Sequence, residues 1–183
     1  MYLILAVIIL AVLYVVFIYN GLVRARQVAE EAWSGIDVQL KRRADLIPNL
    51  IETVKGYAAH ERQTLEEVVE LRNKAQAVPP GDVAARGQVE GLLSQALGRV
   101  IALAEAYPDL KANANFLELQ RSLEGIEDEI QMSRRYYNGA ARDLNVKVES
   151  FPNNLLAGSF GFTKRAFFEI ANEADRAVPS VKF

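Results

Sequence analysis

The chain begins with an uninterrupted apolar segment, and this segment constrains the fold more than any other feature of the sequence. Residues 2–19 contain no charged residue, no proline and no glycine. At about 1.5 Å per residue, a helix of this length measures roughly 27 Å, which is close to the hydrocarbon thickness of a bilayer. Inside lipid every backbone polar group needs an internal partner, and a helix provides one. The sequence therefore predicts a transmembrane anchor over residues 1–20.

Three observations favour a retained anchor over a cleaved signal peptide or a buried core helix. The exit from the apolar segment reads Ile18-Tyr19-Asn20-Gly21 and lacks the small-residue pattern of a cleavage site. Tyr2, Tyr14 and Tyr19 lie at or near its ends, where aromatic rings favour the headgroup region. The segment also has no polar face that could meet water beside a protein core. We therefore expect residues 2–19 to contact the lipid bilayer in the mature protein.

Charges next to the apolar segment predict its orientation. Arg24 and Arg26 follow the segment, and no Lys or Arg precedes it. By the positive-inside rule this bias places the long C-terminal part in the cytoplasm. Two charges make a weak bias, so an extracytoplasmic placement stays open.

Composition excludes several classes of function. The chain has 21 Lys and Arg against 23 Asp and Glu, so no basic surface suggests a nucleic-acid partner. It has no cysteine, which excludes disulfides, thiol catalysis and cysteine metal sites. His60 is the only histidine, so a histidine metal site or a Ser-His-Asp triad lacks material. We expect no catalytic residue, no cofactor and no bound metal.

Clusters of proline and glycine divide the rest of the chain into helical segments. The breaks lie at residues 78–82, 107–109 and 151–154, and the segments between them are rich in strong helix formers. No segment alternates with the period of a strand. We predict an all-α fold with an elongated antiparallel bundle of three long helices, followed by a short C-terminal helical or loop cap. The helices are expected over about residues 21–77, 82–106 and 110–150, and the cap over residues 151–183.

Two details of this bundle follow from the pattern of apolar residues. Pro48 should kink the first helix without ending it, because the apolar stripe resumes in phase after it. The third helix shows alternating steps of three and four, which is typical of coiled coils. Its stripe consists of Phe116, Leu119, Leu123, Ile126, Ile130, Ser133, Tyr137, Ala140 and Leu144. The short second helix covers only part of its neighbours, so the tail, a partner or another copy must cover the rest.

Two charged clusters are candidate sites. The acidic cluster consists of Glu124, Glu127, Asp128 and Glu129. Carboxylates four residues apart share a helix face and suit a divalent ion, but a solvated face balanced by nearby arginines is favoured, since no histidine completes the site. The basic cluster Lys41-Arg42-Arg43 lies about 33 Å from Tyr19 along a straight helix, beyond the reach of lipid charges. We expect it to meet an acidic stretch of the same bundle rather than a separate partner.

Aromatic residues are the candidates for self-association or partner binding. The tail from Phe151 holds six of the eight phenylalanines, the last of them Phe183. Such a tail either caps the helix ends or forms a surface that binds another protein or lipid. The candidate residues are Trp33, Phe116, Tyr137, Phe151, Phe160, Phe162, Phe167 and Phe168.

Several motifs together resemble the LemA family. They are Ala32-Trp33-Ser34-Gly35-Ile36-Asp37, Asp45-Leu46-Ile47-Pro48-Asn49-Leu50, Tyr107-Pro108-Asp109-Leu110-Lys111-Ala112-Asn113, Tyr137-Asn138, Phe151-Pro152-Asn153-Asn154 and Gly161-Phe162. The resemblance covers nearly the whole chain, including the apolar segment. It implies a bacterial membrane protein with one N-terminal span, a helical bundle and no agreed enzymatic activity. The chain departs from the family pattern at Asp128, where Asn is common, and no family function is assigned to that position.

These observations lead to one main functional expectation and two alternatives. The main expectation is a non-enzymatic, single-pass scaffold or adaptor of the bacterial inner membrane that binds other membrane or envelope proteins and forms a homo-oligomer. The first alternative is a membrane-associated sensor or enzyme that uses the acidic cluster. The second is a lipid-remodelling protein that acts through the Phe-rich tail.

Overall fold

The computed structural model describes residues 1–58 and 60–169, and these residues form six helices and no strand. The all-α prediction is therefore confirmed. The helices are α1 (Tyr2–Lys55), α2 (Arg62–Ala77), α3 (Val83–Ala104), α4 (Pro108–Lys111), α5 (Ala114–Glu149) and α6 (Asn153–Ala157).

Helix α1 continues through Pro48, as the apolar stripe predicted. Proline has no backbone N–H, so the carbonyl of Ala44, four residues earlier, loses its usual helical donor. Arg72 of α2 replaces that donor, because its Nε lies 2.8 Å from the Ala44 oxygen. A side chain from the next helix therefore satisfies the backbone acceptor that Pro48 leaves open.

The expected single helix over residues 21–77 is interrupted, and this is the main correction to the predicted elements. Helix α1 ends at Lys55, Gly56 and Tyr57 form a turn, and α2 begins at Arg62. Leu65 and Val68 of α2 are buried in the same apolar cluster as Val54 of α1. Because α2 folds back along α1, its apolar residues face the same core as those of α1. The spacing of apolar residues therefore looks continuous across the turn and did not predict it.

The predicted breaks at residues 78–82 and 107–109 coincide with helix boundaries in the structure. Gly81 adopts a φ of 94°, a conformation that favours glycine, and Asp82 accepts a hydrogen bond from the Ala85 N–H at 3.0 Å. The helix predicted to begin near residue 110 is split into α4 and α5. Asn113 separates them, since its side-chain oxygen accepts a 3.0 Å hydrogen bond from the Phe116 N–H at the start of α5.

The chain divides into two compact units, and α1 and α5 contribute residues to both. Unit 1 contains residues 1–38 and 130–167, and the described part of unit 2 contains residues 39–58, 60–129, Phe168 and Glu169. The core of unit 2 combines apolar residues of α1, α2, α3 and α5, among them Ile47, Val68, Val100 and Phe116, which are at most 1% exposed. In α5 the predicted stripe does face inward, because seven of its positions are buried: Phe116, Leu123, Ile126, Ile130, Tyr137, Ala140 and Leu144.

In unit 1 the two long helices run antiparallel. Trp33 and Tyr137 form an edge-to-face ring contact with centroids 5.4 Å apart. Further along, Lys147 donates a hydrogen bond to the Gly21 carbonyl at 3.3 Å. Contacts that move backward on α1 as they move forward on α5 define an antiparallel pair.

Candidate functional site

The first part of α1 is apolar and exposed. Its 18-residue apolar window has a mean hydropathy of 2.9, and only 6% of that window is buried. It is the one helix in the described part of the chain that is long and apolar enough to cross a membrane. A core helix of a soluble protein would be mostly buried, so that interpretation does not fit this segment.

An apolar cluster with three aromatic rings, here called the collar, packs against α1 where the apolar segment ends. The Tyr19 ring packs edge-to-face on Phe160, at 5.1 Å between centroids, and on Phe162, at 5.7 Å. Phe162 is buried together with Ile18 and Leu22 of α1. The collar consists of these five residues and Ala157. It therefore packs the residues around α6 against α1 at the end of the apolar segment.

A cation also contacts the collar. The guanidinium carbon of Arg26 lies 5.0 Å from the centroid of the Phe162 ring, within the range of a cation–π interaction. The arginine predicted to orient the segment thus also packs on the aromatic cluster.

Residues 162–167 form a segment of unit 1 that is neither helix nor strand, here called the strap. Asn145 of α5 holds it at two points, since its amide accepts from the Arg165 N–H at 2.8 Å and donates to the Arg165 carbonyl at 2.9 Å. The Tyr137 hydroxyl donates to the Ala166 carbonyl at 2.9 Å. The Arg165 side chain pairs with Glu30 of α1 at 2.8 Å. Burial raises the pKa of the Tyr137 hydroxyl above its usual value.

The structure divides the predicted aromatic candidates into two groups. Phe116, Tyr137, Phe162 and Phe168 are buried, and Trp33 is partly buried against Tyr137, so these side chains serve intramolecular packing. Phe151, Phe160 and Phe167 are exposed by 79%, 44% and 42%. Of the eight aromatic candidates, only these three leave a large apolar surface accessible to solvent. Phe183 lies outside the described residues.

A buried ionic network lies in unit 2 and centres on Arg43 of α1. The Arg43 side chain is fully buried and pairs with Glu90 of α3 at 2.5 Å, and it also contacts the Glu127 carboxylate of α5. Ser94 accepts a third hydrogen bond from Arg43, at 2.6 Å. Arg86 completes the network by pairing with Glu90 at 2.7 Å. The expectation that the basic cluster meets an acidic stretch of the same bundle is confirmed for Arg43.

Two residues of the acidic cluster have partners within the bundle. Glu127 forms an ion pair with Arg43, and Glu124 accepts a 2.9 Å hydrogen bond from Gln120. Within residues 1–58 and 60–169 no group of three or more His, Cys, Asp or Glu is arranged to hold a metal ion. The pairing with buried Arg43 gives Glu127 a structural role.

Sequence reasoning missed Glu90 and Asn145. Glu90 is 2% exposed although its residue type favours the surface, and nothing local distinguishes it from the other helical glutamates. Asn145 lies beside the predicted stripe, and its partners are 20 residues away in the chain. Both residues act through contacts between elements, which helical spacing does not reveal.

Comparisons with known proteins agree on one family. A family model described as the LemA family matches residues 32–183, which excludes the apolar segment. Protein LemA of Metamycoplasma hominis is 28% identical over 157 residues, covering 86% of this chain and 71% of that protein. Magnetosome protein MamQ 2 of Paramagnetospirillum magneticum is 26% identical over 175 residues, covering 82% of this chain. Magnetosome protein MamQ of Magnetospirillum gryphiswaldense is also 26% identical. The chain spans 64% of the length of each MamQ protein.

Proposed function

The chain belongs to the LemA family, and from this premise we propose that it is a non-enzymatic scaffold held in a membrane by α1. One observation carries the proposal. Helix α1 runs without a break from the exposed apolar segment into buried positions such as Leu22 and Ile36. A helix that is continuous across this boundary couples the position of the folded region to the bilayer.

The polar interior supports a scaffold rather than an enzyme. The buried charges of unit 2 are paired with one another, and the Asn145 and Tyr137 contacts in unit 1 hold backbone groups of the strap. A catalytic site requires polar groups that converge on open space where a substrate can bind. These groups instead bond to one another or to the backbone of the strap.

We place the protein in the bacterial inner membrane with a single span and, from Arg24 and Arg26, a cytoplasmic folded region. The MamQ relatives are named as magnetosome proteins and the mycoplasma relative is not, so these names do not assign a compartment to this chain. Its partners under this proposal are the bilayer, other membrane or envelope proteins, and further copies of itself.

Membrane retention tests the anchor. Replacing both Ile9 and Leu13 with Arg puts two charges on one face of the apolar segment, and each charge costs about 2.5–3.5 kcal/mol near the centre of a bilayer. The variant should leave the membrane fraction after an alkaline wash, whereas the wild type should stay. The matched control replaces the exposed Val38 and Tyr136 with Arg and should remain membrane-bound. Wild-type protein that is released by the wash would refute the anchor.

Self-association is a separate part of the proposal. Unit 1 exposes large apolar side chains on its helices, with Val38 at 56%, Met132 at 48% and Tyr136 at 59%. Such residues suit contact with another copy or partner. Light scattering of the detergent-solubilised protein should give a mass well above that of one chain. A single-chain mass over a wide concentration range would exclude self-association and leave the anchor intact.

A further inference from the structure

We propose that residues 151–160 form a second membrane contact, in which α6 and its flanking phenylalanines lie in the headgroup region of the bilayer. The proposal rests on the proposed function in one respect, since it requires the apolar segment of α1 to lie in lipid. The occupant that we assign to this surface is a bilayer containing anionic lipid.

Helix α6 and Phe160 lie beside the end of the apolar segment of α1. Phe160 contacts the ring of Tyr19, which is the last residue of the apolar segment. Ala157, at the end of α6, is buried in one cluster with Ile18 and Leu22. If residues 2–19 span the hydrocarbon, these contacts hold α6 at the level where the hydrocarbon ends.

The large side chains of residues 151–160 divide between the protein and the solvent. Ala157 is 2% exposed and Leu156 packs on the Ile18 cluster, so these residues face the protein. Phe151 and Leu155 are exposed by 79% and 66%, and Phe160 is exposed by 44% even though it contacts Tyr19. Three large apolar side chains within ten residues therefore face away from the protein, an arrangement that water disfavours and a membrane interface favours.

Basic residues lie near this surface. Residues 1–29 contain Arg24 and Arg26 and no acidic residue, whereas Lys164 and Arg165 pair with Glu149 and Glu30. Lys147 also lies at this end of α1, where it donates to the Gly21 carbonyl. Basic side chains around an exposed apolar surface suit the anionic headgroups of a membrane.

Under this proposal the chain is attached to the bilayer at two places. The first is the span of α1, and the second is the surface of Phe151, Leu155 and Phe160. Because the collar joins the two, the second attachment would limit rotation of α1 about its own axis. A single helical span without such a contact leaves that rotation free.

Single-cysteine spin labels test the proposal, because the native chain contains no cysteine to interfere. The full-length protein is labelled at Val12, Leu155 or Leu92, three exposed positions, and reconstituted in nanodiscs of phosphatidylcholine and phosphatidylglycerol. Collision rates are measured with oxygen, which concentrates in lipid, and with a water-soluble nickel chelate. Circular dichroism of each variant verifies that the helices are intact, and a Phe151→Cys label repeats the measurement if Leu155→Cys lowers the helix content.

We expect a lipid signature at Val12, an interfacial one at Leu155, and an aqueous one at Leu92. A lipid signature at Val12 with an aqueous one at Leu155 overturns the second contact and leaves the anchor in place. An aqueous signature at Val12 overturns the anchor and the second contact together. Low collision rates with both reagents at Leu155 indicate a protein interface, which also overturns the membrane contact. In nanodiscs of phosphatidylcholine alone the interfacial signature at Leu155 should weaken, since the basic residues then have no anionic partner.

Discussion

Unit 2 and unit 1 bury their polar groups in different ways. Unit 2 packs helices around an apolar cluster and encloses a charged network, in which Arg43 is fully buried between Glu90 and Glu127. Unit 1 instead uses the neutral side chains of Asn145 and Tyr137 to hold the backbone of the strap, and it leaves the apolar segment of α1 exposed. The contrast suggests that unit 2 supplies stability, whereas unit 1 supplies a surface for lipid or partners.

The largest expected effect comes from the network of unit 2. Replacing Arg43 with Met leaves Glu90 buried beside one fewer cation, and breaking a buried pair costs about 3–5 kcal/mol. Chemical denaturation of the detergent-solubilised protein measures the change in the free energy of unfolding. The control Arg42→Met alters an exposed neighbour and should change stability by less than about 0.5 kcal/mol.

A double variant sharpens this test. Arg43→Met combined with Glu90→Gln removes both charges of the central pair, so its cost should fall well below the sum of the two single costs. Additive costs would mean that Arg43 and Glu90 do not act as a pair.

The next effect concerns the helix around Pro48. Arg72→Met removes the donor to the Ala44 carbonyl, and a hydrogen bond from a charged group contributes about 1.5–3 kcal/mol. Hydrogen exchange should rise in α1 around residues 44–52. Arg62→Met removes an arginine of the same helix that pairs only on the surface with Glu66, and it should match the wild type. Equal effects of the two variants would contradict the role of Arg72.

Two Gly→Ala substitutions in α3 should change the stability of the protein in opposite directions. A Cβ at Gly87 would lie 2.5 Å from the Glu169 carbonyl oxygen, so Gly87→Ala forces the backbone at residue 169 to shift and should destabilise by about 1–3 kcal/mol. A Cβ at Gly98 meets no atom within 4 Å, so Gly98→Ala should stabilise α3 by about 0.5–1 kcal/mol. Thermal unfolding measures both. If Gly87→Ala also stabilises, the backbone at Glu169 does not pack on α3.

The smallest effect concerns unit 1. Tyr137→Phe keeps the ring against Trp33 but removes the hydrogen bond to the Ala166 carbonyl, which contributes about 0.5–1.5 kcal/mol. Hydrogen exchange in the strap should rise while exchange in α2 and α3 stays unchanged. The neighbouring Tyr136 is 59% exposed, and Tyr136→Phe should alter neither. An equal rise in α2 and α3 would mean that the strap supports unit 2 as strongly as unit 1.

Local features of the fold were predicted well because local chemistry causes them. The break predicted at residues 78–82 contains a glycine with positive φ, Gly81, and the cap of α3, Asp82. The predicted stripe of α5 faces inward, as helical periodicity requires. The turn at Gly56 was missed, because the apolar stripe of α2 faces the same core as that of α1. The exposed phenylalanines could be identified as candidates by type, but only packing separated them from the buried ones.

The sequence by itself determined the apolar segment, the helical class and the family, since each depends on composition or on residues that are close in the chain. The tertiary structure decided which groups meet across long separations: Arg43 with Glu90, Arg72 with Ala44, and Tyr19 with Phe160. Helical propensity acts within a few residues, whereas these partners lie 47, 28 and 141 positions apart and meet only when whole helices pack. For that reason the charged network and the collar emerged from the fold rather than from the pattern of residues.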